Sequence, residues 1–192
     1  MLERLPATLG RALRGVRACE DRLVFHDPAL GGLEGAIELS SPGFTHHGLL
    51  PAQFTADGEG RSPPLRWSQV PAGCASVIVL MEDADSPTPQ PLVHAIVWGL
   101  PGVDGALGEG ALPRSGAPLS ASTPMGRNSL LTVGYLPPDP PRGHGAHRYV
   151  FEVFALTRQP PFQSAPGRGT VLGWLRAHAV AKGMLTGLYE RP

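Results

Sequence analysis

The apolar residues of this chain come in runs too short for long helices and too closely followed by turn formers to become anything but strands. Leu23 to Phe25, Ala36 to Leu39, Ser76 to Met81, Ala95 to Leu100 and His147 to Leu156 are enriched in Val, Ile, Phe and Tyr, side chains that pack well on a pleated surface. Between them lie stretches such as Asp57-Gly58-Glu59-Gly60 and Ser62-Pro63-Pro64, part of a total of 25 Gly and 22 Pro in 192 residues. Scattered in this way, those residues mark turns and not one low-complexity tract. The pattern predicts a mostly β fold. A long irregular segment from Pro101 to about Ser129 stands out, because such segments in compact domains often carry function.

Two helical stretches interrupt the rhythm. Leu2, Leu5, Leu9, Leu13 and Val16 recur at three- and four-residue steps with Arg4, Arg11, Arg14 and Arg17 on other faces, which predicts an N-terminal amphipathic helix docked on its own domain or on a second copy. Near the C-terminus Leu172, Leu175, Ala179 and Gly183 form one helical row behind Thr170 as N-cap, so a second helix is expected to cover one sheet face. With no repeat or linker in view, residues 1–22 read as a helical extension and residues 23–192 as one domain.

Charge narrows the partners. Sixteen basic and sixteen acidic side chains cancel, which leaves no global field to collect nucleic acid or an anionic membrane. No apolar run approaches the roughly 20 residues of a transmembrane helix, and the N-terminus lacks a secretory core. Cys19 and Cys74 read as two free thiols of a reducing compartment, and a cytoplasmic location is expected.

Chemistry gathers at strand ends. The run from Val77 carries Asp83 and Asp85 into a turn closed by Pro87; two residues apart, they would face the same side if the strand continued. His94 opens one later strand and His147 another, with His147, Tyr149 and Phe151 on a shared face. Acids beside imidazoles suggest a device in which a carboxylate fixes each tautomer while the other ring N–H meets an anion. Phosphate binding should then weaken as pH rises through the imidazole range, about 6 to 8. Ser86-Pro87 is a candidate cis peptide. A metal site built on His144, His147, His46 and His47 falls short of a convergent ligand set.

Read in order, Ser62-Pro63-Pro64-Leu65-Arg66-Trp67, Val70-Pro71-Ala72-Gly73, Asp83-Ala84-Asp85-Ser86-Pro87, His94 before a strand ending Gly99-Leu100-Pro101, Gly126-Arg127-Asn128, Gly134-Tyr135, the block from Pro140 to Tyr149 and the closing Gly187-Leu188-Tyr189-Glu190-Arg191 resemble the phosphatidylethanolamine-binding proteins, also called Raf kinase inhibitor-like proteins, in their bacterial branch. The resemblance spans roughly residues 37 to 191. It implies a two-sheet β fold with peripheral helices and a small-anion pocket for phosphate or a phosphorylated head group such as phosphoethanolamine. Carried over position by position, the pocket comprises Asp83, Asp85, Pro87, His94, Pro141, His147 and Tyr149. The chain departs from the family at Asp83-Ala84-Asp85-Ser86-Pro87, where the family carries Asp-Pro-Asp-Ala-Pro, at Pro137-Pro138-Asp139-Pro140-Pro141, where bacterial members carry Gly-Pro-Cys-Pro-Pro, and at Leu92-Val93 before His94, where an aromatic is frequent. The resemblance also implies a homodimer. The resulting expectation is a binding protein with no cofactor, no metal and no assigned catalytic residue. The alternative is an enzyme that uses the Asp and His side chains for acid–base chemistry on a small substrate.

Overall fold

A computed structural model describes residues 6–33, 35–117 and 123–191. Nine strands follow in chain order: β1 (Gly35–Ala36), β2 (Glu38–Ser40), β3 (Gly48–Leu49), β4 (Leu65–Ser68), β5 (Ser76–Asp83), β6 (Leu92–Pro101), β7 (Gly105–Leu107), β8 (His147–Leu156) and β9 (Ala179–Tyr189). Two helices, α1 (Ala7–Ala12) and α2 (Arg168–His178), join them. Six strands form one sheet in the order β1-β9-β8-β5-β6, with β3 also on β9; β2-β4-β7 make a second sheet of three. The fold is mostly β, with two sheets and few helices.

Strand β5 shows why its run from Val77 to Met81 is continuously apolar, since every one of its residues is buried. Val77, Val79 and Met81 face the second sheet, joining Leu39, Leu65, Trp67, Tyr149 and Phe151 in the larger core. Ile78 and Leu80 point the other way, onto Val24, Leu30, Val171 and Leu175 of the helical layer. A strand covered on both faces has no polar side to alternate with.

The structure corrects several sequence expectations. Leu23 to Phe25 is no strand but lies among single 3₁₀ turns, Glu20–Arg22 and Val24–His26, which seat Leu23 and Val24 under the sheet. At the C-terminus α2 is capped by Gly167, not Thr170, and ends at His178. Ala179 and Gly183 therefore belong to β9, which pairs with β8 along its length. Ala, Lys, Met and Leu gave that strand a helical look, and tertiary pairing overrides the propensity. Gly183 is there for closeness: a Cβ on it would stand 2.0 Å from the Ile37 carbonyl oxygen.

Against its own domain the N-terminal leucine stripe stays largely uncovered. Leu2 and Leu5 lie outside the described residues, while Leu9 is 43% and Val16 48% exposed. The six-residue α1 docks through Gly10 instead, its one buried residue. Ser86-Pro87 is trans, as are all peptide bonds among the described residues. No helix among them is long and apolar enough to cross a membrane.

Candidate functional site

Strand β5 ends at Asp83 between β6 and β8, with Leu92 opposite it on one side and Tyr149 on the other. Here the two acids part company. Asp83 Oδ2 accepts the His147 Nδ1–H at 2.8 Å, and Oδ1 accepts the Asp85 backbone N–H at 2.9 Å. Asp85 turns to the opposite face of β8, where it accepts Arg148 N–H, Nε–H and Nη2–H, each at 2.8 Å, and pairs with Arg17 at 2.9 Å. Neighbouring residues of a strand point to opposite faces, so His147 and Arg148 each collect one acid. Burial alone would raise the Asp85 pKa, but the Arg148 and Arg17 hydrogen bonds outweigh it and pull it down to about 2.

His147 is fully buried and both of its ring nitrogens are engaged: Nδ1 on Asp83 and Nε2 on His144 Nδ1 at 2.7 Å. His144 Nε2 in turn reaches the carbonyl oxygens of Leu13 at 2.8 Å and Val16 at 3.2 Å. Nothing of His147 is left for a ligand.

His94 differs. The pairing of β5 with β6 skips it, running from Met81 with Ala95 to Glu82 with Val93, so His94 is the extra residue of a bulge, a device that re-aims a side chain. Its carbonyl accepts the Leu136 N–H at 2.8 Å, and its Nδ1–H donates back to the Leu136 carbonyl at 2.6 Å. Because a carbonyl only accepts, Nδ1 carries the hydrogen and Nε2 is the acceptor of the neutral ring. Nε2 and the nearby Tyr149 hydroxyl are buried with no hydrogen-bond partner among the described residues, the two rings meeting edge to face at 5.2 Å. Burial lowers the His94 pKa, which favours the neutral ring.

His94 lines a cavity of about 130 Å³ together with Asp83, Ser86, Pro87, Leu92, Leu130, Leu136, Pro137 and Asp139. At about 30 Å³ per water molecule, that is room for one small group and not for a drug-sized ligand. A broader trough of about 620 Å³, lined by Pro89, Arg127, Leu131 and Arg168 among others, adjoins it by sharing Leu92 and Leu130. Among the described residues no Lys or Arg lines the small cavity. Its two carboxylates are each held by a cation or imidazole, Asp83 by His147 and Asp139 by Arg191.

Of the seven residues expected from sequence, Asp83, Pro87 and His94 line the cavity, whereas Asp85, Pro141, His147 and Tyr149 do not. Sequence reasoning did not place Ser86, Leu92, Leu130, Leu136, Pro137 or Asp139 in the pocket. Asp139 left a signal: a lone acid among four prolines has little backbone work to do, and here it meets Arg191, which also holds Asp57 at 2.5 and 2.8 Å. Among the described residues no three His, Cys, Asp or Glu side chains converge on a metal position; His46 accepts the Thr186 N–H, away from His144.

Residues 40–190 match the family model of phosphatidylethanolamine-binding protein. A UPF0098 protein of Pyrococcus abyssi is 33% identical over 165 residues, covering 84% of this chain and 89% of that protein. One of Aquifex aeolicus is 36% identical over 162 residues, covering 82% and 91%. Among solved structures, YbcL of E. coli superposes with a TM-score of 0.74 at 29% identity, covering 81% of this chain and 99% of that one. A phosphatidylethanolamine-binding protein homolog of Chlamydia trachomatis gives 0.73 at 29% identity, covering 83% and 100%.

Proposed function

The chain belongs to the phosphatidylethanolamine-binding protein family, and on that premise we propose that it binds phosphate or a phosphorylated head group in the His94 cavity, with one proton taken up alongside the anion. The observation that carries this reading is the buried, unpartnered His94 Nε2. A polar atom left open in the interior is costly unless something meets it. Neutral His94 presents a lone pair there, and the dianion of a phosphate monoester presents only lone pairs. The bond between them needs a proton, on the ring or on the phosphate. Since Asp83 and Asp139 border the same space, the singly charged, protonated anion is favoured over the dianion. The body of a larger phosphate ester would extend along the adjoining trough toward Arg127 and Arg168.

The sign of the pH dependence follows. Binding that takes up a proton weakens as pH rises, by up to about tenfold per pH unit once neither partner carries the proton in solution. This keeps the direction expected from sequence and moves its cause from two histidines to one. Calorimetry with inorganic phosphate and with phosphoethanolamine at pH 6 and pH 8 tests it. Saturable heat that weakens at pH 8 and vanishes in His94→Ala is expected. Absence of heat at millimolar phosphate, or an unchanged His94→Ala variant, would overturn it. A cytoplasmic location and a homodimer belong to the same reading, the dimer being checked by light scattering.

A further inference from the structure

The N-terminal segment is tied to the sheet through a buried chain of ring nitrogens, and the chain has a countable number of protons. The Leu13 and Val16 carbonyls can only accept, so His144 Nε2 carries a hydrogen. The Asp83 carboxylate accepts, so His147 Nδ1 carries another. The 2.7 Å bond between the rings needs a third. Two neutral imidazoles hold only two, so the intact chain contains one extra proton, balanced by the Asp83 charge. Placing that proton on Asp83 itself leaves the count unchanged.

Losing it has a directed effect. Bonds to an ionised carboxylate are the strongest in such a chain, so the two remaining protons settle toward Asp83, on His147 Nδ1 and His144 Nδ1. His144 Nε2 is then a bare lone pair facing two carbonyl oxygens. We propose that residues 7–19 form a proton-linked strap, docked when the Asp83–His147–His144 chain holds its extra proton and loosened between Leu13 and Val16 when that proton leaves.

The surroundings are consistent with this. Burial and then His147 disfavour a charge on His144 and outweigh the Leu13 and Val16 carbonyls that favour it, which places the proton nearer Asp83. Arg17 Nη1–H and Nη2–H donate to the Ala146 and His144 carbonyls at 2.9 and 3.1 Å, and its pair with Asp85 survives at high pH. Arg17 is therefore the pivot that stays. Arg11 lies over Gly143, whose N–H donates to the Arg191 carbonyl. Tyr149 stacks on His147, Tyr189 stands opposite it on β9, and the Arg148, Asp85 and Glu20 cluster occupies the other face of β8. At the far end of the strap, a Cβ on Gly10 would stand 1.9 Å from the Arg142 oxygen, so the docked position is sterically specified.

The inference is independent of any ligand in the cavity. Backbone hydrogen exchange on the full chain tests it, read at the Leu13 and Val16 amides, which bond within the strap. After correction for intrinsic exchange, protection should fall by about tenfold per pH unit above the midpoint of the chain. In His144→Gln the side-chain amide donates to the strap carbonyls at every pH, and protection should be high and flat. Flat protection in the parent protein, or a variant that follows the parent, would overturn the proposal. Should the variant fail to fold, imidazole nitrogen spectra of the parent decide: His144 Nε2 should carry a hydrogen below the transition and lose it to Nδ1 above, wherever the extra proton sits, and a His144 tautomer that stays the same throughout would refute it.

Discussion

His94 and His147 sit on the two strands that flank β5, and both are buried, yet they do opposite work. His147 has both nitrogens engaged, on Asp83 and His144, and rigidifies the strand end. His94 has one nitrogen on Leu136 and the other open to a cavity. The difference teaches that hydrogen-bond completeness, and not residue type or burial, separates a structural histidine from one available to a ligand. Position in the sheet explains how it arises: His147 keeps regular register opposite Tyr189, while His94 occupies a bulge that turns it out of the ladder.

The largest expected effect breaks the comparison at its filled end. His147→Ala leaves the Asp83 charge buried without its partner, and removing one member of such a pair costs about 3–5 kcal/mol. His94→Ala forfeits one bond to a carbonyl and should cost only about 1–2 kcal/mol. Denaturant midpoints of the two variants should separate clearly, with the ligand-competent histidine the cheaper to lose. Equal losses would mean that the open nitrogen has no bearing on stability.

A buried acid on the other face of β8 sharpens the contrast, because it lines no cavity. Burial and the neighbouring Glu82 push the Glu152 pKa well above the carboxylate range, Glu82 itself being held by the Val24 N–H at 2.8 Å and by Arg168 at 2.6 Å. A carboxyl raised in the folded state keeps a proton that the unfolded chain releases, so its contribution turns unfavourable as pH climbs past the unfolded value near 4.3. Glu152→Gln should therefore be more stable than the parent at pH 8 and similar to it near pH 4, the gap widening by at most about 1.4 kcal/mol per pH unit. Thermal melts at the two pH values measure it.

The smallest effect lies at the surface. Leu9→Ser on exposed α1 should shift stability by no more than about 0.5 kcal/mol, whereas a helix held by its leucine stripe would lose several times that. Denaturant unfolding of this one variant separates the two pictures.

Much of the sheet was legible in the sequence, because β5, β6 and β8 are enriched in β-branched and aromatic residues and bounded by turns. Strand β9 was not: its Ala, Lys and Met favour helix, and only its pairing with β8, together with the close approach at Gly183, makes it a strand. The site was legible as a set of residues and illegible as a geometry. Alternation placed Asp83 and Asp85 together, but the turn at Ala84 sends them to opposite faces, one to His147 and one to Arg148. A bulge leaves no mark in local composition, so nothing told His94 from His147. The strap shows a related limit: periodicity identifies an apolar stripe, yet within the chain what holds this segment is a glycine contact, an arginine and two backbone carbonyls.

Imidazole nitrogen spectra recorded while inorganic phosphate is added at pH 6 test the central claim most directly. The account predicts that the His94 Nε2 resonance shifts saturably while both His147 nitrogens stay in place. A shift at His147 with His94 unmoved would contradict it.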